Sequence, residues 1–268
     1  MIAHFRLPPP GPAPLPPSAA ALLLLPLSVL AGGALFWPAA CLAAIAAADA
    51  RQHGAMLAWF GLAVGFDAQA LLLAPFIVAL LIGRRVSIAL LPLAPLCAAA
   101  TVVARAAAFQ PVALLPQDLL LSHGAPNLWA IAPLLPWFGA LPLSGLALAC
   151  AFGSAAAYVA WFSARVLRGA ALLDAALLCA LVMPGLLPAL DGRAFWLADA
   201  LAVTNALLGN ARPRWWIAAL LVTGTLLACA GAALLPLAVV AMLLATALQL
   251  FAVLKPAAND NPLMPRTA

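Results

Sequence analysis

Glutamate is absent from this chain, and lysine and tyrosine occur once each, as Lys255 and Tyr158. Charged residues make up 7% of the 268 positions and hydrophobic residues 68%, where a soluble globular domain carries about 25% charged residues. That shortage of charge excludes a soluble domain with a solvated exterior. Alternation of polar and apolar residues is also missing from runs such as ALLLLPLSVLAGGALF (21–36), which excludes the strands of a transmembrane barrel. Lipid satisfies no backbone group outside a helix or a closed barrel. The expected fold class is therefore all-α: a polytopic integral membrane protein with about ten transmembrane or re-entrant helices.

Other absences narrow the function. No Lys/Arg block with interleaved aromatics occurs, so the net charge of +5 is not a nucleic-acid signal. The motifs GxSxG, HExxH, GxGxxG and the P-loop are all missing. Cys41, Cys97, Cys150, Cys179 and Cys229 have no CxxC spacing and read as small packing residues. His4, His53 and His123 are scattered through the chain. No metal site and no cofactor is expected.

What is present divides the chain into three parts. Residues 1–17 form a Pro-rich leader, expected to be extended. Residues 18–254 form the helical membrane domain, with an outer loop near 105–139, and residues 255–268 form a polar tail expected to be disordered and cytoplasmic. Apolar stretches run over 18–36, 39–50, 55–66, 68–82, 86–104, 140–162, 170–187, 195–209, 215–233 and 234–254. Arg51, Arg84, Arg85, Arg165, Arg168, Arg212, Arg214 and Lys255 fall at alternate boundaries. Basic residues concentrate on the cytoplasmic side, so both termini are expected inside.

The opposite face then holds Asp67 and Gln69 at a hairpin tip. Arg105, Gln110, Gln117, Asp118, His123 and Asn127 lie in the long connection, and Asp191, Arg193 and Asp199 lie near 190–200. Trp129 and Trp137 suit an interfacial position. Asp49 and Asp174 lie near cytoplasmic ends and read as structural, Asp174 in the first turn of its helix, where a carboxylate complements the dipole. Asp199 sits about a turn into an apolar helix, where an uncompensated Asp costs ~2.5–3.5 kcal/mol at the bilayer centre. A partner or a wet cavity is expected, with Arg193 the nearest candidate and Asp191 its competitor.

Three stretches carry a resemblance. LLPALDGRAFWLADAL (186–201) resembles the segment LPxMHERYFFLADxL of bacterial polytopic glycosyltransferases of the glycosyltransferase-C type. FGLAVGFDAQALLLAPFIVALLIGRR (60–85) is similar to that family's FGLAxxFKLQAxFLLPFxxxLLxRR, and LSHGAPNLWA (121–130) to its LSxNAPNLW. The resemblance implies a hexosyltransferase that moves a sugar from a polyprenyl-phosphate donor on the periplasmic face of the bacterial inner membrane, in envelope glycolipid or polysaccharide assembly. It implies catalytic roles for Asp191, Arg193 and Asp199, with Arg193 on the lipid phosphate, and substrate-binding roles for Asp67, Gln69, His123 and Asn127.

Departures accompany it. Where the family continues W-G-Q-x-D this chain has WPAAC from Trp37, the family's Lys is Asp67, and its His–Glu is Asp191–Gly192. The family's early outer-loop acid is not found either, so missing N-terminal spans are expected from an upstream extension or a partner subunit. Membrane lipid is the other expected partner. Two further readings stay open: a catalytically inactive member that binds lipid or acts as a scaffold, and a transporter or flippase, for which no internal repeat is found.

Overall fold

A computed structural model gives the fold and describes residues 36–107, 125–134, 143–188, 190–209 and 212–254. Among the described residues all regular structure is helical. Nine α-helices follow in order: α1 (Phe36–Asp49), α2 (His53–Phe66), α3 (Ala74–Gly83), α4 (Leu93–Ala107), α5 (Leu143–Ser163), α6 (Ala170–Leu186), α7 (Trp196–Gly209), α8 (Arg212–Ala230) and α9 (Leu235–Leu254). Short 3-10 turns occupy Ala68–Leu73, Ile88–Leu90, Leu128–Leu134, Gly192–Phe195 and Ala232–Leu234. The nine apolar segments expected from Ala39 onward each fall on one of these helices. The first segment (bar Phe36), the leader, the tail and most of the outer loop lie outside the described residues.

Four stretches are long and apolar enough to cross a membrane: Ile88–Ala107, Ser144–Ser163, Arg212–Ala230 and Ala232–Leu254. They form the exterior of the bundle and leave Leu96, Val103, Phe152, Trp216, Leu226 and Phe251 more than 60% exposed. An apolar exterior of that extent suits lipid rather than water. The exposed cysteines Cys150 and Cys229 lie on this exterior, whereas Cys41 and Cys179 are buried and Cys97 packs against Gly61 of α2, as small packing residues do.

Inside stand α1 and α6, buried along most of their length. A helix apolar all round needs neighbours all round, and α6 has them in α5, α7, α9 and the turn at Ala68–Leu73. α1 and α3 end alike. Arg51 (φ 58°) and Arg85 (φ 50°) take the left-handed position after the helix. The N–H groups of Arg51 and Gln52 return to Ala48 and Ala47 at 3.1 and 2.9 Å, and those of Arg85 and Val86 to Ile82 and Leu81 at 3.2 and 3.1 Å. Glycine usually fills this position; an arginine there places a cation against the negative end of the helix dipole.

Two contacts hold the bundle. In α2, Gly61 and Gly65 seat the helix on the α4 backbone: an added Cβ would lie 2.2 Å from the Ala94 carbonyl oxygen and 2.6 Å from that of Ala98. Small residues four apart permit this approach between apolar helices. In α6, Asp174 joins four helices. Its Oδ2 pairs with Arg214 of α8 at 3.1 Å, and its Oδ1 accepts from Asn205 Nδ2 of α7 at 2.6 Å. Gln249 Nε2 of α9 donates to the Asp174 carbonyl at 3.0 Å. Asp174 lies beyond the first turn of α6, so it acts as an interhelical clasp rather than as the dipole partner expected from sequence.

The α2–α4 contact generates a prediction. Gly61→Val should lower the unfolding temperature by several degrees, because its Cβ collides with backbone. Gly145→Val, at a site where an added Cβ meets nothing within 4 Å, should change it little; thermal unfolding in detergent compares the two.

Candidate functional site

The first and third resemblance stretches contribute two turns of the same construction. Asp67 ends α2 in extended conformation, and its Oδ1 accepts from Gln69 N–H at 2.9 Å, capping the turn Ala68–Leu73. Asp191 is likewise extended, and its Oδ1 accepts from Arg193 N–H at 3.0 Å, capping Gly192–Phe195. Short acidic side chains favour such local caps. The two turns meet directly: Gln69 Nε2 donates to Asp191 Oδ1 at 2.5 Å across 122 residues of sequence.

Arg105, in the last turn of α4, packs beside this pair. Its guanidinium donates to the Phe66 carbonyl and, at 3.3 Å, to that of Gly65, and lies 5.4 Å from the Phe66 ring centroid. Arg193 is exposed, its guanidinium 5.9 Å from the Trp196 ring centroid. The expected pairing of Arg193 with Asp199 does not form. Arg193 lies in the 3-10 turn that precedes α7, with its guanidinium exposed, whereas Asp199 lies a turn into α7. Asp199 faces α8 instead, where Thr225 is its neighbour; neither Asp199 Oδ1 nor Thr225 Oγ1 makes a hydrogen bond.

The middle resemblance stretch docks at the same end. Asn127 is 1% exposed; its Nδ2 donates to the Leu187 carbonyl at 3.2 Å and its Oδ1 accepts from Ala130 N–H at 3.1 Å. The amide nitrogen thus ties the loop to the end of α6, and the oxygen closes the loop's own turn. Trp129, expected at an interface, is 4% exposed, and its Nε1 donates to the Leu186 carbonyl at 2.5 Å. A buried indole needs such an acceptor. His123 and Trp137 lie outside the described residues.

Among the described residues, Trp37 Nε1, Gln69 Oε1, Asp199 Oδ1 and Thr225 Oγ1 are buried near this end without a hydrogen-bond partner. Buried polar groups are almost always satisfied, and for Asp199 the Thr225 hydroxyl is the donor at hand. Trp37 is the position at which the resemblance reads WPAAC for the family's W-G-Q-x-D, but no role was expected of its side chain, because one indole in an alanine-rich helix carries no spacing signal. Among the described residues no group of three His, Cys, Asp or Glu residues could hold a metal.

Burial raises the proton affinity of Asp67. The Gln69 N–H opposes that rise, the Asp191 carboxylate adds to it, and Arg193 and Arg105 oppose it. Comparisons with protein-family models, curated proteins and solved structures found no match for this chain.

A raised carboxyl pKa fixes the sign of a pH effect. The folded state holds the Asp67 proton more tightly than the unfolded chain, so stability declines as pH rises from about 4, the unfolded value, through the folded pKa. Asp67→Asn, which cannot ionise, should flatten that decline; unfolding temperatures measured between pH 4 and 7 check it.

Proposed function

We propose that this chain is a ten-span membrane glycosyltransferase of the glycosyltransferase-C type, working on a polyprenyl-phosphate sugar at the periplasmic face of a bacterial inner membrane. The observation that carries the reading is the Gln69–Asp191 hydrogen bond, which joins two of the resemblance stretches while the third docks on Leu186 and Leu187. Chance likeness in three separate stretches gives no reason for them to meet. The end where they meet carries Arg105 and Arg193, whereas Arg51, Arg84, Arg85, Arg165, Arg168, Arg212 and Arg214 gather at helix ends facing the other way. Under the positive-inside rule the first end is periplasmic and both termini are cytoplasmic.

The reaction is an inverting displacement. The acceptor hydroxyl oxygen attacks the anomeric carbon as its bond to the lipid phosphate oxygen breaks. The acceptor proton passes to a carboxylate, and the lipid phosphate leaves with the bonding electrons. Asp67 suits the base, since burial holds its proton affinity above that of an ordinary carboxylate. Arg193, exposed and with a guanidinium that pairs with no carboxylate among the described residues, suits the departing phosphate, whose oxygens its planar fork can grip in pairs. Gln69 Oε1, Trp37 Nε1 and Asp199 Oδ1 offer an acceptor, a donor and a second acceptor to sugar hydroxyls. Asp191, spent on Gln69 and the Arg193 backbone, positions both.

A binding-only reading has its own support. Asp67, Asp191 and Asp199 outnumber Arg105 and Arg193 at this end, an unfavourable balance for an anionic donor. Turnover separates the two readings. Arg193→Ala should reduce sugar transfer from a polyprenyl-phosphate donor by about 100-fold or more while membrane insertion and unfolding temperature stay unchanged. Equal activity would remove Arg193 from the mechanism, and retained donor binding without transfer in the unmodified protein would favour the binding-only reading.

A further inference from the structure

At the opposite end of the bundle lies a cavity of about 300 Å³, lined by Arg51, His53, Arg84, Arg165 and Arg168 over an apolar floor that includes Phe162. These basic residues come from three separate connections of the chain. Arg51 is held in the left-handed position after α1, His53 opens α2, Arg84 follows α3, and Arg165 and Arg168 lie between α5 and α6. Retention of basic residues at one membrane face needs no cavity. Here five basic side chains converge on one.

Their local partners are mostly spent. Arg84 is the brace: its guanidinium donates to the Ala48 carbonyl and, at 2.9 Å, to that of Leu167. The nearby acid, Asp49, accepts from Gly169 N–H at 2.8 Å, and its charge acts on Arg84, leaving the cations in excess. Arg165 lies over the Trp161 ring at 4.3 Å, which fixes its plane without neutralising its charge. Among the described residues the guanidinium groups of Arg51, Arg165 and Arg168 make no ion pair. His53 Nε2 is buried with no hydrogen-bond partner. Burial, then the charges of Arg84 and Arg51, lower the proton affinity of His53. Holding this much positive charge around one cavity favours whatever anion enters it.

We infer that this cavity is a binding site for a phosphate-bearing anion, separate from the proposed transfer site. Guanidinium forks match phosphate oxygens in pairs. The volume stands at the lower bound of small-molecule sites, about 300–1,000 Å³, so it admits a phosphate or diphosphate head and leaves a larger attached moiety outside. A head of that chemistry can come from free diphosphate or from an anionic lipid at the adjacent membrane surface. Arg84 secures the loops, Arg51, Arg165 and Arg168 bind the oxygens, and His53 Nε2 completes the set.

The test uses the whole chain purified in neutral detergent and, in parallel, in phosphatidylcholine nanodiscs with or without phosphatidylglycerol. Inorganic pyrophosphate is titrated by calorimetry into the first, and unfolding temperature is read in both. Arg51→Gln with Arg168→Gln removes two cavity cations and leaves the Arg84 brace; Arg212→Gln removes a cation at the same end but outside the cavity. Pyrophosphate binding weakened at least tenfold by the double variant and unchanged by Arg212→Gln supports the site with free diphosphate as the source. Stabilisation by phosphatidylglycerol alone, lost in the same variant, supports it with lipid as the source. Absence of both effects, or equal loss in Arg212→Gln, would overturn the inference.

Discussion

A chain with so few charges has to settle where each one goes, because an unpaired ion in an apolar interior costs several kcal/mol. In this protein the answer follows from alternating helix direction. The descents α1, α3, α5 and α7 end near Arg51, Arg84, Arg168 and Arg214, and α9 ends one residue before Lys255; the ascents α2, α4 and α6 end near Asp67, Arg105 and Asp191, while α8 ends at an uncharged turn. Between those ends the helices are apolar enough to pack on one another inside and to face lipid outside. The two polar regions are what remains once charge has been removed from the middle.

Different contacts hold the two halves of the bundle. Between α2 and α4 the contact is backbone against backbone, through Gly61 and Gly65. In α6 to α9 it is the clasp on Asp174. The paired side chains of Arg214 and Asp174 are 23% and 21% exposed, which places the pair between surface bridges worth about 0–1 kcal/mol and buried pairs whose disruption costs ~3–5 kcal/mol. The bonds from Asn205 and Gln249 move it toward the second case. At the far end of the same helices this fixed frame presents the two Asp-capped turns, so Gln69 and Asp191 meet on rigid elements rather than on loose loops.

Periodicity and apolar run length made the helices legible, down to boundaries within a few residues for α6 and α7. The sorting of arginines to one end was legible for the same reason: each sits beside an apolar run. Partnership was not. Arg193 and Asp199 lie close in sequence yet do not pair, whereas Gln69 and Asp191 touch across 122 residues. Asp174 looked like a dipole partner because its helix starts nearby; its true partners lie 31, 40 and 75 residues away. GLAVG (61–65) did carry a readable small-residue spacing. ACAGAA (228–233), which has a similar composition, instead supplies the Gly231 turn between α8 and α9, at φ 139°.

The account stands on the assignment of the two ends to opposite sides of a membrane, with Asp67, Asp191 and Arg193 away from the cytoplasm. Single cysteines at Gly192 and at Ala164, each in an otherwise cysteine-free chain, measure it directly with a thiol reagent that cannot cross a bilayer. The account predicts that Gly192→Cys is modified in spheroplasts and Ala164→Cys only after lysis. The reverse pattern would contradict it.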